Sequence, residues 1–73
     1  MGIMDKEIER KLIEKIRTVK NDDTYIRGLL LNLSYDEDRL EVIKHIEEHP
    51  QITPKQLCYM TINIDIERGG DND

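Results

Sequence analysis

A single cysteine, Cys58, leaves this chain without an internal disulfide, so its stability must come from packing, association or a ligand. A reducing, cytoplasmic setting is the simplest match. No run approaches the roughly 20 apolar residues of a membrane span, and no apolar signal region follows the N-terminus. A soluble protein with no membrane partner is expected. Glycine is sparse: Gly28 stands alone and Gly69-Gly70 has no helix after it, which leaves no loop to cradle a phosphate. Gly2 does not make a myristoylation motif, because Lys6 stands where Ser or Thr is needed. No repeat, linker or low-complexity segment divides the chain. With 73 residues, residues 1–73 form one domain whose core is small, since a chain of this size buries only about 60% of its unfolded surface. Met4 is a candidate natural start, with Met1 to Ile3 added before it.

Helix signals are abundant. Asp5 caps a first helix whose Ile8, Leu12, Ile16 and Val19 form one apolar stripe, with Glu7 placed to pair with Lys11 and an end near Lys20. Asn21-Asp22-Asp23 is a turn with a ready cap, Asp23. The following Tyr25, Ile26, Leu29, Leu30, Leu31 and Leu33 are too dense for a one-faced surface helix, so the second helix is expected at the centre, with Gly28 permitting a close helix crossing. Ser34 and Glu37 form a capping box, and Asp36 and Asp38 add negative charge at the positive end of the third helix. There Leu40, Val42, Ile43 and Ile46 are expected inside, with Arg39, Glu41, Lys44, Glu47 and Glu48 in water.

The third helix stops at His49-Pro50, and the fourth starts with the clearest signature in the chain. Thr53 caps, Pro54 takes the first helical position, Gln56 completes a capping box, and Ile52 with Leu57 makes a hydrophobic staple. Beyond Leu57 the periods conflict. Cys58, Met60, Ile62, Ile64 and Ile66 alternate as in a half-buried strand, while Leu57, Met60 and Ile64 make a helix stripe. A lone strand leaves its backbone groups unpaired, so continued helix is expected, with a strand over 60–67 as the alternative if two chains pair there. Gly69-Gly70 ends the element, and 68–73 is expected to be a disordered acidic tail. The fold class is all-α: a bundle of three to four short, mainly antiparallel helices.

Candidate chemistry is thin. His45-Ile46-Glu47-Glu48-His49 is similar to the HxxEH pattern of inverted zincins, which implies two zinc ligands on one helix face and a glutamate base. Nothing marks out Asp65 or Glu67 as the third ligand that a catalytic site needs, and an exposed His pair is expected, with no metal or other cofactor. Cys58 has no basic neighbour to activate it and is expected to be a buried structural thiol. The cluster Asp36, Glu37 and Asp38 lacks calcium-loop spacing.

Residues 40–61, with the His49-Pro50-Gln51-Ile52-Thr53 corner, resemble in outline the first two helices of a winged-helix or helix-turn-helix domain, over about a third of the chain. The resemblance implies a reading helix presenting Lys55, Gln56, Tyr59 and Asn63, of which only Lys55 is cationic. Net charge is −5, against generic binding to nucleic acid. It is also polarised: residues 1–20 carry +2 and the remainder −7. The expected function is therefore that of a small, acidic, non-catalytic regulatory or adaptor protein. Its partner is a protein with a basic surface, a nucleic-acid-binding groove included. Asp36, Asp38, Glu41 and Glu48, with Tyr59 and Ile62, are the expected contact residues. The alternative is a helix-turn-helix-like DNA-binding transcriptional regulator using the helix that starts at Thr53, and the oligomeric state is open, a homodimer included.

Overall fold

A computed structural model describes residues 5–69; expectations about Met1 to Ile3 and about the tail over 70–73 lie outside it. The described residues form four helices and no strand: α1 (Lys6–Val19), α2 (Asp23–Asn32), α3 (Asp36–Glu48) and α4 (Pro54–Glu67). The all-α expectation holds, and 60–67 is helix. Once the cap has started α4, each backbone group finds its partner within the helix, whereas a strand would need a second chain.

The Asp5 carboxylate accepts the Glu7 N–H at 2.8 Å to open α1. Leu12 and Ile16 are fully buried, and Ile8 and Val19 pack on them. Glu7 pairs with Arg10 and not with Lys11. The cap of α2 is Asp22, one residue before Asp23, accepting from the Tyr25 N–H at 3.1 Å. Ile26, Leu29 and Leu33 are buried, yet Leu31 is 81% exposed, so α2 is one-faced after all. Gly28 sits on that open side: a Cβ there would meet no atom within 4 Å, and no helix crosses at it. In α4 the whole capping box forms. Thr53 accepts from the Gln56 N–H, and the Gln56 side chain accepts from the Thr53 N–H, each at 3.1 Å. Leu57 is buried with Ile52 packed on the same cluster. The helix ends at Arg68, and Gly69 takes the left-handed conformation at φ 95°. Residues 68 and 69 thus terminate α4, ahead of the expected tail.

The third helix departs most from expectation. Its cap is Tyr35, with no side-chain hydrogen bond, and Ser34 caps nothing. Arg39, expected in water, is only 4% exposed, while Leu40, expected in the core, is 49% exposed. Positions 39, 42, 43 and 46 are i, i+3, i+4 and i+7, so Arg39 occupies the first place on the buried face and Leu40 lies off it. The Arg39 Nε donates to the Leu33 carbonyl at 2.7 Å, a second nitrogen reaches the Leu30 carbonyl at 3.4 Å, and the third meets Glu9 at 3.5 Å. α2 has no basic residue in its own last turn, so Arg39 supplies the cation that its carbonyl end favours.

Next to it, Asp38 turns toward the end of α4. It is 7% exposed and accepts two bonds from Arg68, at 2.9 and 3.0 Å, while Glu37 pairs with the same guanidinium and Tyr35 lies under it at 4.3 Å. These bonds, to Asp38 first and Glu37 second, raise the Arg68 pKa above its already high value.

The main helix contacts are α1 on α3 and α2 on α4. Both pairs run in the same sense. Asp5 meets Asp36, Glu9 meets Arg39 and Lys15 meets Glu47; Tyr25 meets Pro54 and Asn32 meets Thr61. The expected antiparallel neighbours are therefore joined by short turns but pack mostly across the bundle. The Tyr25 hydroxyl donates to the Pro54 carbonyl at 2.6 Å, and its pKa is pushed up to about 12, by burial first and by Cys58 second.

Replacing Arg39 with Ala should destabilise the domain by about 2–3 kcal/mol in chemical denaturation, because the buried Leu33 carbonyl loses its partner and α2 its C-terminal cation. Lysine in place of Arg39 should recover part of the loss. Gly28→Ala should instead stabilise by about 0.5–1 kcal/mol, since helix propensity improves with nothing to clash. A loss of stability in the Gly28→Ala variant would show a crossing that the open α2 surface does not have.

Candidate functional site

The α3 and α4 helices run antiparallel, held at one end by Arg68 on Asp38 and at the other by the turn in which the Ile52 N–H bonds the His49 carbonyl at 3.0 Å. Between these ties they part. The gap is a groove of two adjoining hollows, of about 470 and 770 Å³, which share Glu41, Gln56 and Met60. Glu41, His45 and His49 recur every four residues and so form the α3 bank. Gln56, Met60, Asn63 and Glu67, at spacings of four, three and four, form the other. Met60 and Ile64, half-buried against the core, give the groove an apolar floor.

Its charge follows from pairing elsewhere. Glu7 and Glu14 are held by Arg10, Glu9 by Arg39, Asp23 by Arg17, Glu47 by Lys15, and Glu37 and Asp38 by Arg68. Asp5 and Asp22 cap helices, and the Asp36 carboxylate accepts the Asp5 N–H at 3.2 Å from both oxygens. Among the described residues this leaves Glu41, Glu48, Asp65 and Glu67 with neither a cation within 4 Å nor a backbone N–H on the side-chain oxygens, all on α3 and α4. The groove carries two of them, Glu41 and Glu67, on opposite banks.

Of the six residues expected to make contacts, Asp36 and Asp38 are engaged in holding helices together. Glu41 and Glu48 are exposed on α3. Tyr59 and Ile62 are exposed on α4, at 57% and 37%, and Tyr59 also edges the groove. Ile66, 64% exposed on the same outer side of α4, extends this surface, as the sequence suggests for Tyr59 to Ile66. The strand-like alternation was its signal: in a helix, apolar residues that alternate cannot all share one face. Lys55, Gln56 and Asn63 are exposed, as the reading-helix reading requires, but Ile62 and Ile66 lie among them.

The imidazoles of His45 and His49 stand with ring centroids 4.5 Å apart at the wide end of the groove. Among the described residues no third His, Cys, Asp or Glu is grouped with them to hold a metal ion. Cys58 is a free thiol, half-buried against the core near Tyr25 and less enclosed than expected. No described helix is long and apolar enough to cross a membrane.

No known family model matches the chain, and no curated protein or solved structure is significantly similar to it.

With two ligands on one helix face, zinc titrated into the metal-free protein should bind weakly, and His45→Ala or His49→Ala should each remove that binding. Calorimetry checks this. A tight one-to-one site abolished by either change would demand a third ligand.

Proposed function

We propose that the protein is a non-catalytic interaction module that receives a basic segment of another protein in the groove between α3 and α4. The observation that carries this reading is the distribution of charge. The acids of α1, α2 and the start of α3 are neutralised or accept backbone N–H groups, and of the four carboxylates left unpaired Glu41 and Glu67 line the groove. A floor of Met60 and Ile64 between Glu41 and Glu67 suits an amphipathic helix, whose apolar side would lie on the floor and whose lysines or arginines would meet the banks. Methionine adapts its shape to an incoming side chain better than a branched residue does. The α4 bank runs from Gln56 to Glu67, about 17 Å of helix rise, and so matches about three turns of a partner helix. An acidic adaptor of this kind acts by occupying a basic surface and keeping other ligands off it.

Affinity capture from the native host, followed by kinetics on the captured protein, tests the reading. Association should slow with added salt, and Glu41→Lys with Glu48→Lys should slow it several-fold while dissociation stays nearly unchanged, the mark of electrostatic steering. Both acids are exposed and unpaired, so thermal melts should not move. Binding indifferent to salt and to both reversals would overturn the proposal. An enriched DNA duplex, lost on Gln56→Ala or Asn63→Ala, would replace it with sequence-specific DNA binding.

A further inference from the structure

We propose that a second copy of this chain covers the outer face of α4, pairing the two α4 helices antiparallel about a twofold axis. Lys55, Tyr59, Ile62 and Ile66 follow one another at spacings of four, three and four, the period of a coiled-coil seam. They face away from the core: Leu57 and Thr61 of the same helix are fully buried, whereas Tyr59, Ile62 and Ile66 are exposed. No described helix packs on this side, so α4 is apolar on two opposite faces and only one has a partner among the described residues. A helix apolar on both sides belongs in an interior.

Charge selects the occupant. Lys55 is the only charged residue of the seam, at its N-terminal end, and it has no ion-pair partner among the described residues. At the other end Ile66 is flanked by Asp65 and Glu67, both also unpaired. Two antiparallel α4 helices set Tyr59 of each against Ile62 of the other, and Lys55 of each against Ile66 of the other. The lysine stem then covers the isoleucine and its ammonium meets the flanking acids. The contact is self-complementary, as a twofold interface requires, and two ion pairs form by symmetry. A parallel arrangement would set Lys55 against Lys55 and leave the four acids together. Glu41 of each copy, on the α3 bank, stays exposed, while Tyr59 and Glu67 on the α4 bank are shared between the groove and this contact.

Sedimentation of the whole chain from micromolar to millimolar concentration tests the proposal. A reversible monomer–dimer equilibrium is expected, weakened about tenfold or more by Ile62→Glu, with Ile66→Glu in its place should that variant melt early. Lys55→Glu should weaken it as well, and combining Lys55→Glu with Asp65→Lys and Glu67→Lys should restore it, because the pairing is swapped and not lost. A monomer at every concentration, or a dimer indifferent to Ile62→Glu and Ile66→Glu, would overturn the proposal. A dimer that the charge swap fails to restore would overturn the antiparallel register.

Discussion

The guanidinium of Arg39 is taken out of water, and a buried charge that keeps its charge has to find partners. It finds them on two other helices: the carbonyls that end α2 and the Glu9 carboxylate of α1. One side chain near the start of α3 thereby fixes where α2 stops and how α1 lies alongside. Its neighbour Asp38 completes the arrangement by reaching the end of α4 through Arg68. Two consecutive residues of opposite charge, about a quarter-turn apart on α3, connect it to all three other helices. A core of nine buried apolar residues leaves ample freedom of orientation, since apolar contact is not directional; these hydrogen bonds are.

The same bonds decide what the surface offers. The acids of α1, α2 and the start of α3 are consumed by cations or by backbone N–H groups, and those that remain unpaired are on α3 and α4. The groove exists for a related reason. α3 and α4 are tied at their two ends while each packs mainly on another helix, α3 on α1 and α4 on α2, so the space between them stays open. An acidic, apolar-floored groove is then a by-product of the packing that a basic partner is suited to fill. The outer side of α4 has the complementary property, apolar residues with little charge, and suits a second α4.

Local signals were legible in the sequence wherever the partners lie within about four residues. Asp5, the Thr53–Gln56 box, Pro54 and the stop at His49-Pro50 all satisfy backbone groups of the adjacent turn, and each was found where the sequence puts it. The stripe of α1 was equally plain, because Ile8, Leu12, Ile16 and Val19 permit only one buried face. Ser34 and Glu37 have the spacing of a capping box and do not make one. Glu37 is held by Arg68, 31 residues away, a competitor that no window around Ser34 contains. Gly28 looked like a crossing point and lies in the open for want of any local cue to which side of α2 is covered. The surface from Tyr59 through Ile62 to Ile66 was legible, because apolar residues that alternate along a helix cannot all lie on its buried side.

Composition, helix boundaries and the position of the α3–α4 corner were determined by the sequence itself, since capping and helix periodicity are short-range and hold in any fold. Tertiary structure alone decided which helices touch, that Arg39 is inside and Leu40 outside, and which carboxylates stay unpaired. Those outcomes depend on groups brought together from about 30 positions apart, Arg39 with Glu9 and Arg68 with Asp38. A charge on the buried face violates local pattern and is stable only because a distant carbonyl and a distant carboxylate arrive beside it.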